Sequence, residues 1–280
     1  MINSLVQPTL IEKYNRFSYS IKSSIKNMPD TNSSQHDIDE NNEKKQIKEF
    51  FNQMKEGICV EIGSNEPVSI CSQSMHLERD LNWKCVLVEP NPSLANKTRK
   101  LRPSAIVVQL GCTSINEKKT TFLNIPLDIN NNEITGHASL EINADEHNYS
   151  NHKSLKIKTD TLTNILRLNN INNIDFLSID VEGTELEVLL GLDFKLYRPK
   201  LILLEDKHLY LKKHILLKNK GYKLVQRLNR NCWYIPKEIP SPSVSLMAKI
   251  KLLKRIYLSI WLRKASYSLL HRSLRPFKTL

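Results

Sequence analysis

Residues 58–65 read Ile-Cys-Val-Glu-Ile-Gly-Ser-Asn. Small and apolar residues surround a single acid, Glu61. This pattern predicts a short buried strand in which the charge needs a partner. Gly63 then permits a tight turn and a close approach to the backbone. A strand, a glycine turn and a following helix are typical of a nucleotide-type site in an open α/β sheet.

Strand and helix patterns alternate along the chain after this stretch. Apolar strands are predicted at 58–62, 85–88, 106–110, 176–179 and 201–204. Helical patterns follow at 72–81, 92–101, 161–168, 185–190 and 209–218. Two last strands, 224–228 and 232–235, are joined by a short turn, which requires an antiparallel hairpin. We therefore expect an α/β fold with an open, Rossmann-like sheet, mostly parallel with a C-terminal antiparallel hairpin.

The composition excludes several classes of protein. Among the 280 residues there is no run of 18 apolar ones, so a membrane-spanning helix is not expected. The N-terminus lacks the apolar core of a secretory signal. None of the five cysteines forms a CxxC motif, which favours reduced thiols over a zinc site or a disulfide framework. We predict a cytoplasmic protein, with an alternative location on the inner face of the membrane.

The net charge of +12 is concentrated near the C-terminus. Residues 237–280 contain ten Lys or Arg and one acid, Glu238, so three quarters of the net charge lies there. The polar stretch 27–44 is typical of a flexible linker. The predicted domains are therefore an N-terminal arm and linker at 1–45, an α/β domain at 46–237, and a basic amphipathic helical tail at 238–280.

Four predicted strands end in acids. A single acid in this position is usually a solvated loop residue, but ligands of open α/β sheets bind beyond the carboxyl ends of the strands. Four such acids in one sheet therefore predict a site. They are Glu61, Glu89, Asp180 and Glu205.

The residues around Gly63 favour S-adenosylmethionine over NAD. A dinucleotide fingerprint requires two more glycines, where this chain has Asn65 and Val68. Glu61 would also repel a diphosphate, whereas S-adenosylmethionine has no phosphate and carries sulfonium and ammonium groups. An NAD-dependent oxidoreductase is therefore a distant alternative.

Two further positions fit a nucleoside. A carboxylate at Glu89 can accept both ribose hydroxyls. Gly111 and Cys112 suit the border of a flat adenine, although Cys112 is equally compatible with a packed core.

The most specific stretch is FLSIDVEGTELEVLLGL at 176–192. Its IDVEGTELEVL closely resembles the signature of FkbM-type methyltransferases. VEIGSN at 60–65 and LVEPNP at 87–92 resemble the strand-one and strand-two motifs of that family, so the resemblance covers about residues 56–236. It implies the class I methyltransferase fold, S-adenosylmethionine as cofactor, and O-methylation of a hydroxyl on a small molecule, a secondary metabolite or a saccharide such as a lipid-linked glycan.

The residues and the resemblance together give a set of site residues. The predicted cofactor-binding residues are Glu61, Gly63, Ser64, Asn65, Glu89, Pro90, Gly111, Cys112 and Asp180. Methylation of a hydroxyl needs a base or a Lewis acid. The predicted catalytic residues are Asp180, Glu182 and His208, with Glu205 as a further candidate for the base. Asp180, Glu205 and Asp206 offer oxygen ligands that a divalent metal could use, but the sequence does not predict a metal.

One position departs from the family pattern. Pro67 stands where the family usually has a flexible glycine, and proline fixes φ and removes an N–H. It can start the next helix or narrow the cofactor pocket. The second reading supports an alternative function, a non-catalytic protein with a methyltransferase fold.

Two regions outside the sheet complete the prediction. The irregular segment 113–154 is too long for a structureless loop, so we expect it to bind the acceptor and act as a lid through Gly136, His137, Ala138 and Ser139. The tail at 244–272 carries apolar residues at helical spacing between basic ones, as in helices that lie on an anionic membrane surface. The same tail could dock on its own domain or on a second protomer of a homo-oligomer. A membrane-surface adaptor is thus another alternative function, whereas nucleic acid is not expected as a partner.

Overall fold

The computed structural model describes residues 35–114, 120–140, 151–206, 211–242 and 246–254. The strands are β1 Ile58–Ile62, β2 Lys84–Val88, β3 Ile106–Val108, β4 Gly111–Cys112, β5 Thr120–Pro126, β6 His152–Asp160, β7 Phe176–Ile179, β8 Leu201–Glu205, β9 Tyr222–Leu228 and β10 Asn231–Pro236. The helices are α1 Gln35–Phe50, α2 Met75–Leu81, α3 Pro92–Leu101, α4 Leu162–Leu168, α5 Glu185–Leu190, α6 Leu211–Asn219 and α7 Leu246–Leu253, and a 3₁₀ turn covers Thr135–His137.

Seven strands form the main sheet, in the order β3-β2-β1-β7-β8-β10-β9. β1 pairs in parallel with β2 and with β7, and Ile62 at its end lies opposite Val88 and Ile179. The chain builds the sheet from β1 outward to β3 and then returns to the other side of β1 to place β7 and β8. The strand order therefore reverses between β1 and β7, which is where an open α/β sheet offers a crevice to ligands.

The C-terminal hairpin closes the sheet. β10 lies antiparallel to both β8 and β9, and the turn between β9 and β10 contains Asn229 at a φ of 48°. Together with the parallel pairing of β3, β2, β1, β7 and β8, this confirms the predicted fold class.

A second, three-stranded sheet has the order β4-β6-β5. β5 and β6 pair antiparallel along their whole length, from Thr120 opposite Lys158 to Pro126 opposite His152. From their sequence, only the short stretches 120–123 and 155–158 are expected to be strands here, and their patterns do not indicate a second sheet. The described part of the segment 113–154 is thus more regular than its sequence suggests.

Alternating side chains of the strands face two separate cores. Val60 and Ile62 of β1 join the core beneath α4 and α5, whereas Cys59 joins the core beneath α1 and α2. Residues that alternate in this way, apolar on both faces, are what a parallel sheet covered by two helix layers requires. The cysteines at positions 59, 85 and 232 are buried on strands of the main sheet.

Helix α1 begins earlier than the sequence predicts. Glu43, inside the stretch 27–44 interpreted above as a linker, is fully buried on α1. Its carboxylate accepts hydrogen bonds from Trp233 Nε1 at 2.8 Å and Asn231 Nδ2 at 2.6 Å, and burial raises the pKa of Glu43 to about 7. The interpretation of this stretch as a linker is therefore wrong from Gln35 onward, where α1 begins. The local composition is polar, but Glu43 is buried because it forms hydrogen bonds with β10.

The chain divides into two units, Met1–Ile38 and Asp39–Leu280. Of the first unit, only the beginning of α1 is described. The predicted domain boundaries at 45 and 237 stay predictions. None of the helices in the described ranges is long and apolar enough to cross a membrane.

Candidate active site

A cleft lies at the carboxyl ends of the strands, where the strand order reverses. It encloses about 600 Å³ of empty space, a figure that includes the open solvent at its mouth. The segments that follow β1, β2, β3 and β7 form its walls, and β5 and residues 135–140 add a further wall. The lining residues are Ile62, Gly63, Asn65, Val88, Glu89, Pro90, Leu110, Gly111, Cys112, Leu123, Thr135, Gly136, Ala138, Leu140, Asp180, Val181, Glu182 and Thr184.

The turn after β1 contains two residues in the left-handed region. Gly63 has a φ of 81°, and a Cβ there would lie 1.8 Å from the carbonyl oxygen of Asp180, so only glycine fits. Asn65 has a φ of 45°, and its buried Oδ1 has no hydrogen-bond partner among the described residues. Ser64 is buried and does not line the cleft, and its hydroxyl likewise has no hydrogen-bond partner among the described residues. The turn therefore presents an unpaired acceptor to the cleft.

Glu61, in contrast, is not among the lining residues. Its carboxylate lies 4.0 Å from the buried guanidinium of Arg102. Its hydrogen-bond donors are Gln73 N at 2.8 Å, Ser72 Oγ at 3.2 Å and Ser74 Oγ. The partner that the sequence requires for this charge is thus supplied by α3 and by the segment that leads into α2. A direct contact between Glu61 and the cofactor stays a prediction.

Glu89 ends the wall that β2 contributes. Its Oε2 accepts a hydrogen bond from Asn65 N and its Oε1 accepts one from Asn91 N, both at 2.8 Å. Each oxygen retains a second lone pair that can accept a hydroxyl. Burial raises the pKa of Glu89 to about 7, although the two N–H groups act in the opposite direction. The carboxylate is therefore held in a fixed orientation, as bidentate binding of a diol requires.

Pro90, Gly111 and Cys112 form the wall next to Glu89. A Cβ on Gly111 would lie 2.9 Å from Ile157 Cδ1, so packing against β6 also demands a small residue here. Burial raises the pKa of the Cys112 thiol, which keeps it neutral. These residues make an apolar wall without a charged group, which is compatible with a flat base.

Asp180 stands at the centre of a group of acids. One carboxylate oxygen from each of Asp180, Glu182 and Glu205 lies within 4.8 Å of the others. Asp180 is accessible from the cleft. The protein atoms packed around its carboxyl group remove water from it and raise its pKa well above the usual range, and the charges of Glu205 and Glu182 raise the pKa further. Asp180 also shares a hydrogen bond with Glu205. This pair can hold one proton between two carboxylates.

The same three oxygens could hold a divalent cation, since Mg²⁺ and Ca²⁺ prefer oxygen ligands. The sequence analysis considers Asp180, Glu205 and Asp206 for this role. The structure places Glu182 in the group instead, and Asp206 Oδ1 lies 3.3 Å from Lys213 Nζ.

A buried ion triad supports the turn that carries Asp180. Lys213, on the first turn of α6, lies 2.9 Å from Glu185 and 3.3 Å from Asp206. Although burial acts against it, these two acids raise the pKa of Lys213. Glu185 Oε1 in turn accepts a hydrogen bond from Gly183 N at 2.8 Å. The triad thereby fixes the start of α5 and the turn before it.

The segment 135–140 is attached to both sides of the cleft. The backbone N–H and C=O of Ser139 bond Asn124 on β5, and its hydroxyl donates to the carbonyl of Glu182 at 2.8 Å. Gly136 faces Asn65, since a Cβ on Gly136 would lie 3.5 Å from Asn65 Nδ2. Gly136 and Ala138 line the cleft, whereas His137 and Ser139 do not.

Four further residues bear on the predicted site. His208 falls in 207–210, outside the described residues. Pro67 is buried and does not start the next helix, since α2 begins only at Met75, and an effect of Pro67 on the cofactor pocket stays a prediction. Two residues, Thr184 and Lys213, were not predicted from the sequence. Thr184 lines the cleft, and its buried hydroxyl has no hydrogen-bond partner among the described residues. Lys213 could have been recognised in the sequence as a lysine within the apolar pattern of α6.

The family that fits this arrangement can be tested directly. The model of the family described as "Methyltransferase FkbM domain" matches residues 61–224, which is more than half of the chain. The chain belongs to the FkbM methyltransferase family. No curated protein matches it. The part that matches the FkbM methyltransferase domain includes every residue that lines the cleft, as well as Glu205 and Lys213.

The residues present fit the cofactor that an FkbM methyltransferase implies. The unpartnered Asn65 Oδ1 can accept from an ammonium group, and Glu89 has lone pairs for two hydroxyls. Among the described residues that line the cleft there is no lysine, arginine or histidine. A cofactor with a cationic centre and no phosphate therefore suits these walls better than a dinucleotide.

Proposed function

We propose that this FkbM-family methyltransferase transfers the methyl group of S-adenosylmethionine to a hydroxyl of a saccharide, a lipid-linked glycan or another secondary metabolite. The observation that carries the proposal is that Asp180, which has Glu205 as its neighbour, lines the same cleft as Glu89. One carboxylate is arranged to bind a diol, and the other has the raised pKa of a base. The saccharide class rests on the family, because the chain contains no sugar-binding motif.

The cofactor occupies the part of the cleft between β1, β2 and β7 in this proposal. Glu89 accepts the two ribose hydroxyls, the wall at Pro90, Gly111 and Cys112 borders the adenine, and Asn65 receives the ammonium group. Asp180 and its neighbouring acids would then lie beside the sulfonium end of the cofactor.

The acceptor enters from the side of residues 135–140. Bound S-adenosylmethionine supplies an electrophilic methyl group, and the acceptor oxygen forms a bond to that carbon as the bond from carbon to sulfur breaks. When the pair starts deprotonated, Asp180 can receive the hydroxyl proton, and Glu205 can then share that proton with Asp180. Thr135, Gly136 and Ala138 line the acceptor side, and the attachment of Ser139 to Glu182 keeps this wall next to the reacting atoms.

Asp180→Asn tests the assignment of the base. With S-adenosylmethionine labelled in its methyl group and a panel of saccharide, lipid-linked glycan and small hydroxyl acceptors, we expect the variant to lower kcat by about a hundredfold. Its cofactor affinity, measured by calorimetry, should stay close to that of the wild type. Asp193→Asn, at an exposed position outside the cleft, is the matched control and should retain full activity.

Two outcomes would contradict the proposal. A loss of cofactor affinity without a loss of kcat would assign Asp180 to cofactor binding rather than to proton transfer. Folded wild-type protein that binds no cofactor and methylates no acceptor would favour a non-catalytic protein with a methyltransferase fold.

A further inference from the structure

Helix α7 leaves a row of large apolar side chains uncovered. Leu246 is 72% exposed, Met247 65% and Leu253 54%, and Ile250 is also exposed. Leu246, Ile250 and Leu253 follow the i, i+4, i+7 spacing of a single helix face. We call these four residues the outer face of α7. Single exposed apolar residues are ordinary, but a contiguous stripe of this kind indicates an interaction surface.

The outer face is not the face through which α7 docks. α7 packs on β9, the last strand of the main sheet, and Leu252 packs against the core beneath α4 and α5. Docking of α7 on its own domain therefore explains why Leu252 is packed, but it leaves the outer face exposed to solvent.

The charge around the outer face selects its partner. Lys254 is exposed at the end of the described helix. The surrounding segment 239–280 contains nine Lys or Arg and no acid. A second copy would bring the same positive charge to a self-complementary contact, whereas an anionic lipid surface offers both opposite charge and an apolar layer.

We propose that α7 binds this protein to the surface of anionic membranes, with the outer face in the lipid and the lysines at the headgroups. This interaction is independent of methyl transfer, because α7 lies outside the residues that line the cleft and outside the family match. It would concentrate the enzyme where acceptors with a lipid anchor are found.

Vesicle flotation of the full chain tests the proposal. We expect the wild type to float with vesicles of phosphatidylcholine and phosphatidylglycerol, and to dissociate from them as salt is added. With vesicles of phosphatidylcholine alone, the protein should not bind and should remain at the bottom of the gradient. Lys254→Gln should weaken partitioning about fivefold, since each basic residue near an anionic surface contributes to that extent. Leu246→Ser combined with Leu253→Ser should weaken it by more than about tenfold, since two leucines no longer enter the lipid.

Matched controls separate this effect from general surface changes. Leu196→Ser and Lys195→Gln alter an exposed leucine and an exposed lysine outside the tail, and both should float like the wild type. Circular dichroism establishes that each variant is folded. Equal binding to both kinds of vesicle, or no binding by the folded wild type, would overturn the proposal. So would sedimentation showing a dimer that the double leucine variant dissociates, because the outer face would then be a contact between copies.

Discussion

Glu89 and Asp180 show how position determines what a carboxylate can do. Both lie in one cleft, and burial raises both pKa values. Two backbone N–H groups orient Glu89, which favours binding in the ionised form. Asp180 has acids as neighbours, which favours holding a proton. In the proposed function, the two residues therefore serve a bound diol and a departing proton in the same cleft.

The raised pKa of Glu89 predicts that cofactor binding depends on pH. The ionised carboxylate must accept both ribose hydroxyls, so a protein protonated at Glu89 has to release that proton first. Because the pKa of the free protein is about 7, affinity should be constant above 7 and fall by up to about tenfold per pH unit below it. Calorimetry at pH values on both sides of 7, in buffers of different ionisation enthalpy, measures the affinity and the proton release.

The Glu89→Gln variant is the control for this pH dependence. Its amide does not titrate, so the loss of affinity below pH 7 should disappear even though binding is weaker. A wild-type affinity that is flat across pH 7, or the same slope in the variant, would show that Glu89 is not the titrating group.

Sequence alone could predict the residues whose role follows from their place on a strand. Glu89 and Asp180 come directly after apolar strands, and parallel strands bring their carboxyl ends together. The partner of Glu61 could not be predicted, because Arg102 reaches it from the end of α3 through the tertiary fold. Lys213 was missed for a related reason, since its two acids come from different elements.

At the scale of elements, the connection from β1 to α2 is organised around a buried charge cluster. The guanidinium of Arg102 is 4% exposed, and it bonds Glu78 on α2 at 2.6 Å and Ser74 at 2.8 Å in addition to its contact with Glu61. The acid in the opening stretch thus stabilises the way in which β1, α2 and α3 meet. Gly63, two residues later, brings the same strand against the backbone of Asp180.

Arg102→Met should destabilise the protein severely. The substitution leaves the buried carboxylates of Glu61 and Glu78 without their cation, and removing one partner of a buried ion pair typically costs about 3–5 kcal/mol. Urea unfolding measures this loss. Arg99→Met, on the exposed face of the same helix, is the matched control and should change stability little. A free energy of unfolding in Arg102→Met equal to that of the control would contradict the role of the cluster.

The elements that sequence predicted poorly are those defined by partners distant in the chain. The strand cores at 58–62 and 176–179 are mostly apolar, with Glu61 and Ser178 as the exceptions, so their bounds were predicted correctly. β5 and β6 are more polar, and they are strands because they pair with each other along their length. The part of α1 around Glu43 is polar as well, and Glu43 is buried through its contacts with β10.

At the scale of the molecule, the two proposed functions map to different parts of the chain. The cleft lies where the strand order reverses, within the residues that match the FkbM methyltransferase domain. The outer face of α7 lies next to β9, at the end of the sheet, and outside that match. Chemistry and location can therefore be altered separately by substitution.

Calorimetric titration of the wild type and of Glu89→Gln with S-adenosylmethionine tests the central claim most directly. We predict that the wild type binds the cofactor and that Glu89→Gln binds it about tenfold to a hundredfold more weakly, because hydrogen bonds to a charged group are lost. Glu66→Gln, which removes a carboxylate from an exposed pair with Lys97, should bind like the wild type. Folded wild-type protein without detectable binding, or equal affinity in all three proteins, would contradict the account.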